Sequence, residues 1–474
     1  MSIDFKRKDY LYALPEWLMF DDMIEGERAM HAGRDKYLPM PSPDDQSEQN
    51  IRRYELYIQR ATYYNYIGRT LEGLVGASLL RDPESNFEGF LQSVEGDISG
   101  EGVSIAQQAR KALSQVLLKG RALLWVDYPK TDGRASVADM QSGRVRPVAH
   151  LIEAERVINW QTVKIGAEQR LGLVVFESLE TEIKGYALEE VKKIYSLKLE
   201  EVDGRFSYVI EIYRQQAGKW VLEDIFVPTA ANGAPLDFIP ATFVGAENND
   251  SEIDDSPLAD IAYINLHHYQ NSADYEESVH FTGQVQPYIT GLSQDWVEEN
   301  YSEGVVLGSK QVLVLPEGGS FGYAQAQPNA LVADAMDRKR DAMIELGARI
   351  MIKGSANRVV ADAESDRDRE QSILSLAVSN VNSAYAKVAE WLVVFAGSGS
   401  ALFELSTDFI YHKLSAQELT ALVGAWQSGA IPQSELIRAL KQANVIDAEK
   451  TIEDVIEELD DQDDGLGLEL VDNE

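Results

Sequence analysis

The sequence predicts an α+β fold, and three observations carry that prediction. Residues 145–229 are strand-rich, with Leu173–Phe176, Tyr208–Tyr213 and Trp220–Phe226 separated by glycines and charged turns. Long helical periodicities stand on either side of that stretch. Within residues 365–397 the apolar positions Ile373, Ala377, Val381, Ala384, Val388, Leu392 and Phe395 recur at steps of four and three. That is one buried stripe over roughly thirty residues, or about 45 Å at 1.5 Å per residue.

Taken in order, residues 1–50 read as irregular, with aromatic anchors at Tyr10, Tyr12, Trp17 and Phe20 and a Pro-rich link at 38–45. A helix is expected from Ile51 to Leu80, stopped by Asp82-Pro83. The five tyrosines between Tyr54 and Tyr66 fit packing better than base stacking. Val103–Leu118 reads as a second amphipathic helix, closed by Gly120 as its C-terminal cap. Ala122–Asp127 follows as a strand. The acidic stretch 247–255 is a hinge, after which Ser256, Pro257 and Asp260 open a helix running to Phe281.

Residues 283–325 return to strand and turn, and 328–352 is helical. The Gly/Ser/Asn loop KGSANR precedes the long helix, whose start is set by Ser365 with Asp368. A strand at Phe403–Phe409 and helices at Ser415–Gln427 and Gln433–Asn444 follow. The last 24 residues hold eleven acids and no base, the pattern of a solvated tail.

Composition narrows function mainly by exclusion. A length of 474 residues suggests about three domains. There are no cysteines, so disulfides, thiolate metal sites and a Cys nucleophile are ruled out, and a reducing compartment fits. The charged N-terminus resembles no signal peptide, and no apolar run approaches the roughly 18 residues of a membrane span. The expectation is a soluble intracellular product. A net charge of −35 argues against tight nucleic-acid wrapping but permits DNA to pass without adhering.

No catalytic set emerges. The six histidines form no His-Glu-x-x-His pattern. Gly304 to Lys310 has three residues between its glycines where a phosphate loop has four. Gly397-Ser-Gly-Ser400 follows a helix, not a strand-to-helix elbow. The tail from Asp460 puts Val471 where a calcium loop needs a bidentate Glu. The pairs Asp254/Asp255 and Asp366/Asp368 are expected by chance among 78 acids. The chain is read as a non-enzyme without cofactor or metal.

The order of elements resembles that of tailed-bacteriophage portal proteins. The C-terminal part carries the likeness first: the long helix, FELSTDF at 403–409, then a helical hairpin with Gly429, Ile431, Pro432 and Glu435. Residues 256–283 followed by QPYITGL resemble the stem-entry helix of one portal-like branch, catalogued largely as a domain of unknown function in phage and prophage genomes. YYNYIGRTLEGLVGASLLRDP, GRALLWVDYP and ERVINW at 155–160 extend the resemblance, which spans about residues 50 to 460.

The resemblance implies a portal-type fold. Residues 1–255 would form an α/β wing, 256–282 the first stem helix, 283–327 a β-containing clip and 328–352 the second stem helix. A tunnel loop would occupy 353–364, a long helix and returning wing strand 365–414, and an α-helical crown with its acidic tail 415–474. It further implies a ring, normally of twelve subunits, at one capsid vertex of the virion, assembled in the host cytoplasm. Its partners would be the terminase packaging motor, the head–tail adaptor, the major capsid protein and double-stranded DNA passing without sequence specificity, with no membrane involved. Lys353, Gly354, Ser355, Asn357 and Arg358 would face the DNA. Twelve copies would carry a formal charge of about −420, a lumen that repels DNA. The rival readings are another virion structural protein, such as a head–tail connector or minor capsid component, and a soluble enzyme with an unrecognised site.

Overall fold

The computed structural model describes residues 2–127, 146–202, 204–284, 286–301, 313–324, 330–351, 372–407, 423–426, 430–432 and 435–437. The chain divides into two compact units, Met1–Thr407 and Asp408–Glu474. In the second, Val423–Trp426 and Glu435–Ile437 are helical, and Leu436 and Ile437 are buried.

The architecture of the first unit is α+β. It opens with α1 (Lys8–Glu25), α2 (Glu27–Ala32), α3 (Glu48–Arg60) and α4 (Tyr66–Ser78). Next come β1 (Glu84–Phe87), α5 (Gln92–Gly96), α6 (Ile105–Lys119), β2 (Arg121–Asp127) and β3 (Val148–Glu153). Five consecutive strands follow: β4 (Val157–Ile165), β5 (Glu168–Lys184), β6 (Ala187–Val202), β7 (Arg205–Gln216) and β8 (Lys219–Phe226). They pair antiparallel in sequence order as a meander. β9 (Ala241–Gly245) completes a second antiparallel sheet of order β3-β2-β9. The remaining elements are α7 (Ala259–Gly283), β10 (Gln286–Thr290), α8 (Gln294–Asn300), β11 (Ser320–Ala324), α9 (Ala330–Met351), α10 (Ile373–Ala396) and β12 (Ala401–Glu404). β10 pairs with β11, and β12 returns to β1.

Four expectations about helix boundaries are corrected. The region before residue 50 is helical, not irregular, although Pro15 lies inside α1. Tyr10, Trp17, Phe20 and Met23 share one buried face, and the Trp17 and Tyr10 side chains donate to the carbonyls of Lys119 (3.0 Å) and Glu155 (2.8 Å). That burial outweighs the roughly 3 kcal/mol that an internal proline costs. Tyr12, read as an anchor, is 90% exposed. The single helix expected over 51–80 is two, α3 and α4, broken at residues 61–65, where Asn65 caps α4 by accepting from Gly68 N–H (2.8 Å).

The long helix begins at Ile373, not at 365. Ser372 is extended (φ −69°, ψ 158°) and its hydroxyl accepts from Ser375 N–H at 3.1 Å, so it is the N-cap. Ser365 and Asp368 lie outside the described residues. α10 is then 24 residues long, about 36 Å. Ala377, Val381, Ala384, Val388, Leu392 and Phe395 are buried as the stripe requires, but Ile373 is 49% exposed and Leu374 takes its place. At α7, Ser256 does not sit at the cap; its hydroxyl accepts from Leu258 N–H (3.1 Å) in the turn before Ala259.

The expected cap at Gly120 is in place, with φ +71° and its N–H bonded to Val116 C=O at 2.9 Å. The acidic hinge packs directly on it: a Cβ on Gly120 would lie 2.1 Å from the Asp254 carbonyl oxygen. The residues beside it are buried cations. Lys119 is held by Asp21 and Glu155, both at 2.7 Å, and burial pushes both carboxyls above their usual range while Lys119 pulls them back. The Arg121 guanidinium lies between the Trp160 and Phe243 rings, 4.0 and 3.6 Å from their centroids, and burial pushes its pKa down to about 9, with Arg7 acting in the same sense. Gly120→Ala is expected to lose at least about 2 kcal/mol, from the left-handed backbone and from displacing the hinge. Urea denaturation of the purified chain measures it, and a loss below about 0.5 kcal/mol would mean the hinge yields freely.

Candidate assembly surface

α7 and α9 form an antiparallel pair. Ile261 lies against Gly347 near one end, and the Lys339 ammonium donates to Asn271 further along. Gly347 permits the close approach of α4: a Cβ there would stand 3.0 Å from Thr70 Cγ2, while its 4.0 Å from Ile261 Cδ1 is ordinary contact. At its far end the pair opens into the β10–β11 ribbon, in register from Gln286↔Ala324 to Thr290↔Ser320. Tyr288 and Tyr323 on that ribbon are exposed, as are Val279 and Phe281 in the last turns of α7 and Leu331 and Ile344 on α9. Apolar side chains left outward on a helix pair suit packing against a further surface.

The pair is fastened to the body at the break between α3 and α4. Asn265 is fully buried; its Oδ1 accepts from the N–H groups of Tyr66 (3.1 Å) and Ile67 (3.2 Å), and its Nδ2 donates to Tyr64 C=O (2.9 Å). Ser272 donates to Thr62 C=O at 2.7 Å. One α7 residue thus completes the α4 start: it meets the Ile67 N–H, which Asn65 leaves unmet, and shares the Tyr66 N–H with the Tyr64 carbonyl (2.8 Å). Further along, Tyr57 OH donates to Asp274 (2.8 Å) and Arg53 pairs with Glu277 (3.0 Å). The tyrosines read as packing residues do pack: Tyr63 meets Tyr269 edge-on at 5.6 Å, and Tyr64 and Tyr66 flank His268 at 5.5 and 5.3 Å.

Two arginines of α9 are matched close by. Arg340 pairs with Asp337 (2.8 Å) and Asp341 (3.0 Å), and Arg349 pairs with Glu345. His268 faces this helix and is buried; desolvation pushes its imidazole below the ordinary histidine range, with Lys339 and Arg340 acting in the same direction and Asp337 opposing.

Lys353, Gly354, Ser355, Asn357 and Arg358, the residues expected to face DNA, lie outside the described residues. What is fixed is their frame: α9 ends at Met351 and α10 begins at Ser372–Ile373. The loop Gly304–Lys310 and residues 438–474 also lie outside. Among the described residues, no group of three His, Asp or Glu stands where it could hold a metal, and no helix is long and apolar enough to cross a membrane. Sequence reasoning missed Asn265 as the fastening residue. Its only local sign is an amide in the buried face of a predicted helix, and the partners lie some 200 positions away.

A family profile described as "Domain of unknown function (DUF4055)" matches residues 257–396, the span from α7 through α10. Among solved structures, the chain is similar to a chain of the virion of a native gene transfer agent particle, at 12% identity and TM-score 0.38, covering 78% of this chain and 88% of that one. It is similar to a chain of the neck of the native particle computed with C12 symmetry, at 12% and 0.38, covering 79% and 89%. A third likeness is to a chain of the neck of the empty particle computed with C6 symmetry, at 13% and 0.37, covering 80% and 91%. No curated protein matches the chain.

Two measurements check this surface. Asn265→Leu leaves the Tyr66 and Ile67 N–H groups and the Tyr64 carbonyl without that partner, so a loss of about 2–4 kcal/mol is expected in urea denaturation. A loss under about 1 kcal/mol would show that the break closes without Asn265. Because the folded His268 pKa is depressed, its contribution is fully present above the unfolded value near 6.5 and is lost as pH falls through the folded one. Relative to His268→Gln, the wild-type chain should lose about 1 kcal/mol between pH 7.5 and 5.5, and parallel stability profiles would refute it.

Proposed function

We propose that this chain is a portal protein of a tailed phage: a non-enzymatic ring subunit that forms the conduit for double-stranded DNA at one capsid vertex. The observation that carries the reading is the order of elements from 259 to 396. An antiparallel helix pair opens into a β-ribbon, and the described chain resumes at Ser372 with a helix whose one face is buried along its length. In portal terms these are stem, clip and long helix, in the collinear order carried by the sequence motifs.

The electrostatics support a conduit over a clamp. A net charge of −35, with Arg340 and Arg349 of α9 already paired to acids, leaves DNA little to grip along the helix pair. In this reading Lys353, Asn357 and Arg358 make transient backbone contacts from the connection between α9 and α10. The ribbon β10–β11 docks the packaging motor and later the head–tail adaptor, and the outward apolar side chains of α7 and α9 pack against neighbouring subunits. Head-to-tail contacts that close give such a ring its symmetry.

The test is the mass of the purified chain in native mass spectrometry, together with negative-stain images. Rings with a central hole and a mass near twelve times 52.8 kDa are expected. A monomer or dimer persisting at tens of micromolar chain sinks the portal reading.

A further inference from the structure

The β5–β6 hairpin outreaches the sheet that holds it. β4 covers β5 only from Glu168 to Phe176, and β7 covers β6 only from Lys193 to Val202. Beyond those residues β5 and β6 pair with each other alone, as far as Lys184↔Ala187. The root of this arm is braced by charge. Lys193 bridges Glu180 (2.9 Å) and Glu223 (3.0 Å), Arg214 bridges Glu182 (2.8 Å) and Glu223 (3.3 Å), and Tyr195 OH donates to Glu180 (2.7 Å). Past the bracing, the tip presents Ile183, Tyr186 and Leu188, at 78%, 111% and 71% exposure. Lys184 pairs with Glu189, so charge beside these three is cancelled in place. A stiffened two-stranded ribbon with an apolar tip marks a contact surface.

A groove of about 780 Å³ lies at the opposite end of the same strand. Leu171, Phe238, Ile239, Trp391 and Val394 line it, with the Phe238 and Trp391 rings 6.2 Å apart. Asp237, Asp250, Glu252 and Glu390 on its walls outnumber Arg170 and Lys387. Such a groove repels most of the surface of another copy carrying −35, but not an apolar tip with its flanking charge cancelled. From Leu171 to Ile183 along β5 is about 40 Å at 3.3 Å per residue. The tip therefore does not reach the groove of its own chain. Donor and acceptor at opposite ends of one sheet make a heterologous contact, the kind that repeats head to tail.

We propose that the β5–β6 arm is a clasp between subunits, its tip residues Ile183, Tyr186 and Leu188 seated in the Phe238–Trp391 groove of the next copy. This rests on the ring reading for its closure, not for the contact itself. The chain has no cysteine, so paired cysteines report the contact without background. The double variant Tyr186→Cys with Val394→Cys, treated with a short bismaleimide, should give a ladder of covalent multimers on a denaturing gel and deplete the monomer. In parallel, Ile183→Ser with Tyr186→Ser should lower the ring population at fixed concentration by about tenfold or more. Ile183 ends β5 and Tyr186 lies in the turn, both exposed, and an unchanged melting profile confirms the fold.

Rings in native mass spectrometry with monomer only on the gel, or rings untouched by the serine changes, overturn the clasp and leave the ring standing. Cross-linked chains without rings keep the contact and remove the ring. Neither rings nor cross-links overturns both.

Discussion

The first unit depends on burying α10 along nearly its whole length. Ala377, Val378, Val381, Ala384, Tyr385, Val388 and Leu392 are inaccessible to solvent. A helix so enclosed cannot leave a polar side chain unmatched, because each one buried without a partner costs more than a methylene gains. Its polar residues are accordingly spent on joints. Tyr385 donates to Gln108 of α6 (3.0 Å), which in turn donates to Ala149 C=O in β3 (2.7 Å). Asn382 exchanges two bonds of 2.8 Å with the Leu405 backbone, and Asn380 with Asn249 locks the 245–249 loop. One helix thus connects the three-stranded sheet, the hinge and the returning strand β12.

The same logic governs charge. The chain carries 78 acids against 43 bases, yet where cations are buried they hold the body together. Lys119 draws α1 and the Glu155 turn onto α6, and Arg121 is held by two aromatic faces. On α9, Arg340 and Arg349 pair with acids of their own helix, and on the meander cations brace the root of the β5–β6 arm. The net negative field is left to the surface, where it favours sliding over adhesion for a polyanion.

Some of this architecture was legible from residues alone. The strand runs within 145–229, the Gly120 cap and the apolar periodicity of α10 are local signals, each decided within a few residues. α1 was not legible, since Pro15 reads as a breaker until the partners of Trp17 and Tyr10 are known. Nor was the break at 61–65, which a continuous tyrosine-rich periodicity hides and Asn265 stabilises from about 200 positions away. The cap at Ser372 was not legible either, since a serine offers a cap wherever it stands and only the hydroxyl's bond from Ser375 N–H identifies it.

By itself, then, the sequence determined the fold class, the strand-rich stretch 145–229, the apolar stripe of the long helix and the charge that argues against tight nucleic-acid binding. These follow from periodicity, turn chemistry and composition, which act over short distances along the chain. Only the tertiary structure decided where helices break, which amide fastens α7 to α4, and that the β5–β6 hairpin leaves its tip uncovered while an aromatic groove opens at the other end of β5. Those outcomes depend on which distant groups meet, and no local pattern encodes a partner. The spine helix gained meaning the same way: its stripe is local, but its joints to Gln108, Asn249 and Leu405 exist only once the chain has folded around it.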